Sequence, residues 1–152
     1  MSQHEQIARK LVAPGWPAAE PQILEILNWA VDTNCTAYRV VHDFLLSVGE
    51  PLIPHMKKAL QNGDSDLAHA IVSNLLPMMP RSSVVPLEDD LLRIAATTEL
   101  GWYDDLWAID LLLEQGVGDR GALMSLLEKK LKDSDPGRGM DISDILAKYR
   151  AG

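Results

Sequence analysis

The sequence predicts an all-α protein made of stacked antiparallel helical hairpins, a short solenoid of eight to nine helices. Three observations lead there. Apolar residues recur at helical spacing: Tyr38, Val41, Leu45 and Val48; then Leu106, Ile109 and Leu113; then Leu123, Leu127 and Leu131; then Ile142, Ile145 and Tyr149. Glycine, proline and Asx residues punctuate the chain at intervals that fit helix ends. Strand signals are limited to the pairs Val40-Val41 and Val84-Val85, neither within an alternating run. Grouping the helices gives pairs over about 18–48, 51–79, 86–116 and 119–150, each on the order of 30 residues, the length of a helical-hairpin repeat. Such pairs stack on a shared core. A compact irregular bundle is the competing arrangement.

The elements follow in order. A short helix over 1–12 carries Ile7, Leu11 and Val12, and Pro14, Gly15 and Pro17 break it. A second, 18–32, aligns Ile23, Leu27 and Ala30. A third, 36–48, ends at Gly49, which suits a left-handed cap. Pro51 and Pro54 fit the first turn of a fourth helix, which stops at Asn62-Gly63. Asp64 or Ser65 caps a fifth, ended or kinked by Pro77 and Pro80. Residues 81–86 read as a connector, and Pro86 opens a sixth helix carrying Leu87, Leu91 and Ile94. A seventh covers 102–115 and closes at Gly116. Asp119 caps an eighth over 120–132. Residues 134–140, Ser-Asp-Pro-Gly-Arg-Gly-Met, read as a linker to a last helix over 142–150, with Asp141 and Asp144 as a variant capping box. The whole chain, 1–152, reads as one domain, with 1–16 as its N-terminal helix and turn.

A chain of 152 residues buries roughly two-thirds of its unfolded surface, so no metal or disulfide is needed to hold it. Aromatic residues are only 5%, so Leu, Ile, Val, Ala and Met fill the core. The net charge of −8 repels phosphate backbones and anionic membranes, which argues against nucleic acid and membrane as partners and favours a basic protein. Acidity for solubility alone is the other reading. The lone Cys35, the polar start and the lack of any apolar run near ~18 residues point to a cytoplasmic protein.

Reaction chemistry is sparse in the sequence. His4, His42, His55 and His69 fall at no metal-ligand spacing, no phosphate-binding glycine loop or Gly-x-Ser-x-Gly appears, and no cofactor is implied. Cys35 beside Thr36 fits a helix start at least as well as a nucleophile. An enzyme whose site gathers scattered histidines and carboxylates in space stays open as an alternative.

The acidic residues are more informative. Glu88, Asp89 and Asp90 cluster, as do Asp104 and Asp105, with Asp110 beyond. Trp102, Tyr103 and Trp107 flank the second group, so three of the eight aromatics fall within six residues. Tyr103 and Trp107 share a helix face, with Trp102 about 100° away. Aromatic anchors beside carboxylates would suit a basic protein partner. Both acid groups also fall in the first turn of a helix, where the macrodipole favours carboxylates without any partner. Trp29, at a helix end, reads as core or corner packing.

Residues 28–34, Asn-Trp-Ala-Val-Asp-Thr-Asn, and 41–55, ending in Gly49-Glu50-Pro51-Leu52-Ile53-Pro54-His55, are similar to a family of small bacterial HEAT-like helical proteins without a known activity. Ser73-Asn74-Leu75-Leu76-Pro77-Met78-Met79-Pro80 and Leu91-Leu92-Arg93-Ile94-Ala95 match its next segments, so the resemblance covers about 24–115. The chain departs at Leu67-Ala68, where the family often has Trp-Lys, and at Gly101-Trp102-Tyr103-Asp104, where it has a segment rich in Pro and Glu. The resemblance implies stacked hairpins and a role akin to immunity or adaptor proteins encoded near bacterial toxins. It implies no catalytic residues. The expectation is therefore a non-enzymatic module that binds a toxin domain of basic surface. A general scaffold is the runner-up.

Overall fold

A computed structural model describes residues 1–97 and 103–151, and every regular element among them is helical. They fall into two compact units, Met1–Leu87 and Glu88–Gly152.

In the first unit α1 (Gln3–Val12) is capped by Ser2, whose side chain accepts from the Glu5 amide. It packs against α3 (Tyr38–Val48). The second helix is shorter than its apolar spacing predicts. A 3₁₀ turn at Glu20–Gln22 leads into α2 (Ile23–Asn28), and Trp29 closes it. The Asp32 carboxylate then accepts from the Asn34 amide, and this turn chemistry outcompetes helix continuation. As expected, α3 ends at Gly49, which sits at φ 67°. Pro51 opens a 3₁₀ turn and Pro54 opens α4 (Ile53–Gln61); neither proline costs a backbone donor at those first-turn positions.

Asp64 caps α5 (Ser65–His69), accepting from the Asp66 and Leu67 amides. The continuation over Ala70–Leu75 is a π-helix, followed by a 3₁₀ turn at Leu76–Met78. Pro77 enforces that ending, having no N–H to continue the ladder. The widened turn carries Asn74, whose amide donates to the Ala30 and Val31 carbonyls at 2.8 and 3.1 Å. His42 Nε2 donates to the Asn74 carbonyl at 2.7 Å. These bonds satisfy two carbonyls in the turn that follows α2 and tie three segments together. The expected connector at 81–86 is itself helical: α6 (Arg81–Val84) runs into a 3₁₀ turn at Val85–Leu87.

The second unit comes closest to the expected hairpins. α7 (Glu88–Ala95) packs along α8 (Asp104–Gln115), and α9 (Arg120–Lys132) packs along α10 (Pro136–Arg150). α8 also touches both α9 and α10. Leu106, Ile109, Leu127 and Ile142 are fully buried between them. Gly116, at φ 65°, closes α8, and Asp119 caps α9 by accepting from the Ala122 amide. Only Ser134 and Asp135 of the expected linker at 134–140 lie outside a helix, since α10 already begins at Pro136. Asp135, not Asp141, is the cap, accepting from the Arg138 amide, and Pro136 occupies the first turn. Proline is preorganised there, so α10 begins six residues earlier than its apolar stripe does.

Candidate functional site

The acidic and aromatic residues singled out in the sequence all lie in the second unit, and the structure sorts them by burial. Asp104 and Asp105 are 0% exposed and Asp90 is 2% exposed. Glu88, Tyr103, Trp107 and Asp110 are half-buried, and Asp89 is exposed. Trp102 lies outside the described residues. Because α7 and α8 form a hairpin, Glu88–Asp90 and Asp104–Asp105 start opposite arms and stand at opposite ends of the pair. They are two groups and not one patch.

Asp105 is the centre of the buried set. Its Oδ2 accepts from Lys130 Nζ at 2.8 Å, and Arg138 grips both oxygens, with Nη1 on Oδ1 at 3.2 Å and Nη2 on Oδ2. Lys130 is itself 7% exposed, and its ammonium also donates to the Thr97 carbonyl at 2.7 Å. One carboxylate thus joins the end of α7, the start of α8, the last turn of α9 and the first turn of α10. The Arg138 guanidinium lies over the Tyr103 ring, 5.2 Å from its centroid. Tyr103 precedes α8 at φ 58°, a left-handed conformation that costs a non-glycine residue about 1–2 kcal/mol. Its carbonyl accepts from the Leu106 and Trp107 amides, which fixes that conformation.

The sequence reading set Asp104 and Asp105 outward, against a partner's lysines or arginines. The structure places them inside, and the cations that meet Asp105 are the chain's own. Desolvating three charges is tolerated only because each ion is paired and hydrogen-bonded. Asp90 is likewise turned to Arg93, at 3.1 Å. Asp110 accepts from the Tyr149 hydroxyl at 2.5 Å and from Lys148 at 3.2 Å. Burial, and then the bond to Asp110, push the Tyr149 hydroxyl up to about 12. The Tyr149 hydroxyl and then Asp110 hold the Lys148 ammonium above its ordinary value.

One signal for this arrangement is present in the sequence. On α9 the buried positions are Leu123, Leu127 and Lys130, at i, i+4 and i+7, while Leu131 is exposed. A lysine in the apolar register asks for a buried carboxylate elsewhere in the chain. Its identity was not readable, because Asp105 lies 25 residues away.

His4, His42 and His55 each meet a polar group in the first unit. His55 Nε2 lies 2.8 Å from Glu20 Oε2, with Trp16 edge-on at 5.8 Å. Cys35 Sγ lies 3.8 Å from His4 Nδ1, and the His4 ring is 5.2 Å from Trp29. His42 is held by Asn74, as above. The first two pairs are at the surface. No group of three or more His, Cys, Asp or Glu among the described residues is arranged to hold a metal ion, and no helix among them is long and apolar enough to cross a membrane. Compared with family models, curated proteins and solved structures, the chain finds no match.

Proposed function

We propose that this chain is a non-enzymatic protein-binding module that neutralises a cognate toxin domain by docking on it, as bacterial immunity proteins do. The reading is supported by the carboxylates that remain outward once the internal pairs are made. Glu88 and Asp89 at the start of α7, and Asp141 and Asp144 on α10, have no ion-pair partner among the described residues. Beside the last two stands Met140, 69% exposed and one turn from Asp144 on the same helix face. An exposed flexible apolar side chain rimmed by carboxylates suits a partner surface with an apolar pocket and a basic edge. Unpaired outward charge speeds encounter with such a partner. Tyr103 and Trp107, half-buried, are expected at the margin of the contact and not at its centre.

The test is purification of the tagged chain from its source organism. One stoichiometric basic partner is expected, and the triple variant Glu88→Lys, Asp89→Lys and Asp144→Lys should slow association at least tenfold at low salt. Several substoichiometric partners would replace the toxin reading with a scaffold. An association rate unmoved by the triple reversal would overturn the binding surface.

A further inference from the structure

We propose that Asn62, in the turn between α4 and α5, is a site of spontaneous modification in the folded protein: its side chain cyclises onto the Gly63 nitrogen, loses ammonia and is hydrolysed to a carboxylate. The site stands independently of the docking role, and water is its only co-reactant.

The chemistry is that of a thermolabile side chain. The Gly63 backbone nitrogen gives up its proton and bonds to Asn62 Cγ. The Cγ–Nδ2 bond breaks, ammonia leaves, and a five-membered succinimide remains. Water then opens the ring. Cleavage beside Cγ gives aspartate, and cleavage beside the backbone carbonyl carbon gives isoaspartate, in which the chain runs through Cγ. Either way one water enters for one ammonia released.

Access to the attacking nitrogen decides which asparagine reacts. The chain has four, and Asn28, Asn34 and Asn74 precede Trp29, Cys35 and Leu75, whose side chains crowd that nitrogen. Asn62 alone precedes a glycine, which has no Cβ. Asn62 and Gly63 are both exposed, and a Cβ built on Gly63 would meet nothing within 4 Å, so the approach is open. Asn62 stands just past the last residue of α4, at φ −76° and ψ −8°. Attack requires its ψ to turn away from that helical value. The Gly63 amide donates to no backbone carbonyl among the described residues, so the rotation breaks no helix bond at Gly63. Asn74 is the contrast: its side-chain amide is held by the Ala30 and Val31 carbonyls, within the π-helix.

The product alters its surroundings. A carboxylate in place of an amide takes the net charge from −8 to −9. It stands at the C-terminal end of α4, where the macrodipole disfavours negative charge. Isoaspartate also adds a backbone methylene two residues ahead of Asp64, the cap of α5.

Peptide mapping by mass spectrometry of the full-length chain, incubated at pH 8 with and without urea, tests this. Each conversion reads as a gain of one mass unit, and an isoaspartate methyltransferase with labelled S-adenosylmethionine reports the rearranged product. Without urea, Asn62 should convert at least tenfold faster than Asn28, Asn34 or Asn74, to aspartate and isoaspartate together. Gly63→Ala should slow it at least fivefold, and the comparison among asparagines within the unmodified chain does not depend on how that variant folds. Conversion of Asn62 no faster than that of the other three, conversion confined to urea, or a rate unchanged in Gly63→Ala would overturn the proposal.

Discussion

Replacing Asp105 with alanine should be among the most damaging changes in this chain. The carboxylate is fully buried and is shared by Lys130 and Arg138, themselves withdrawn from solvent. The truncation removes three charge-assisted hydrogen bonds and strands two cations. Breaking a buried ion pair by removing one partner costs about 3–5 kcal/mol. For a chain of this length that corresponds to a fall in Tm of about 6–20 °C. Lys130→Met is milder. Met fills the space of the lysine stem, Asp105 keeps Arg138, and one charged bond plus the Thr97 contact are lost, about 1.5–3 kcal/mol. Made in the Lys130→Met background, Asp105→Ala strands one cation and not two, so the double variant should lose less than the sum of the singles by about 0.5–3 kcal/mol. Urea unfolding followed by far-ultraviolet circular dichroism measures all three. A loss below about 1 kcal/mol for Asp105→Ala, or strict additivity, would refute the buried node.

Other consequences are equally open to measurement. Tyr149 keeps its proton to about pH 12 when folded and releases it near 10 when unfolded, so its contribution to stability is intact below pH ~10 and is lost as the pH climbs towards 12. Denaturation midpoints should fall across that window, and Tyr149→Phe should flatten the fall while costing about 1 kcal/mol at neutral pH for the hydroxyl's bonds to Asp110. A midpoint that stays flat from pH 9 to 12 in the unmodified chain would contradict this. Gly116→Ala forces a Cβ into the left-handed cap of α8 and should cost about 1–2 kcal/mol in a thermal melt, although nothing crowds the position. Asn74→Leu removes the donor to Ala30 and Val31 and should destabilise the first unit by about 1–3 kcal/mol; amide exchange faster in α2 than in α9 would locate the loss.

The sequence was most readable where a single residue decides local geometry. Gly49, Gly116, Asp64 and Asp119 end or cap helices where their chemistry requires it, because a cap depends only on neighbours a few residues away. The stripes Leu106, Ile109 and Leu113, and Ile142, Ile145 and Tyr149, are buried as their spacing demands. The reading failed where tertiary partners decide. The π turn at Ala70–Leu75 carries Asn74, whose bonds reach segments more than 30 residues away; Asp135, a local cap, starts α10 ahead of an apolar stripe that does not show it. The acid clusters showed the same limit. A carboxylate in a helix's first turn looks alike whether it faces water or a buried lysine, and only the placement of Lys130 and Arg138 separates Asp105 from Asp89.

Carbodiimide labelling of the native chain, read site by site by mass spectrometry, puts the division between inner and outer carboxylates to its most direct trial. Rapid modification of Asp89 and Asp144, with Asp104 and Asp105 untouched until denaturant is added, is the expected pattern. Equal labelling of Asp105 and Asp89 in the folded state would mean that the inner carboxylates are not withdrawn from solvent at all.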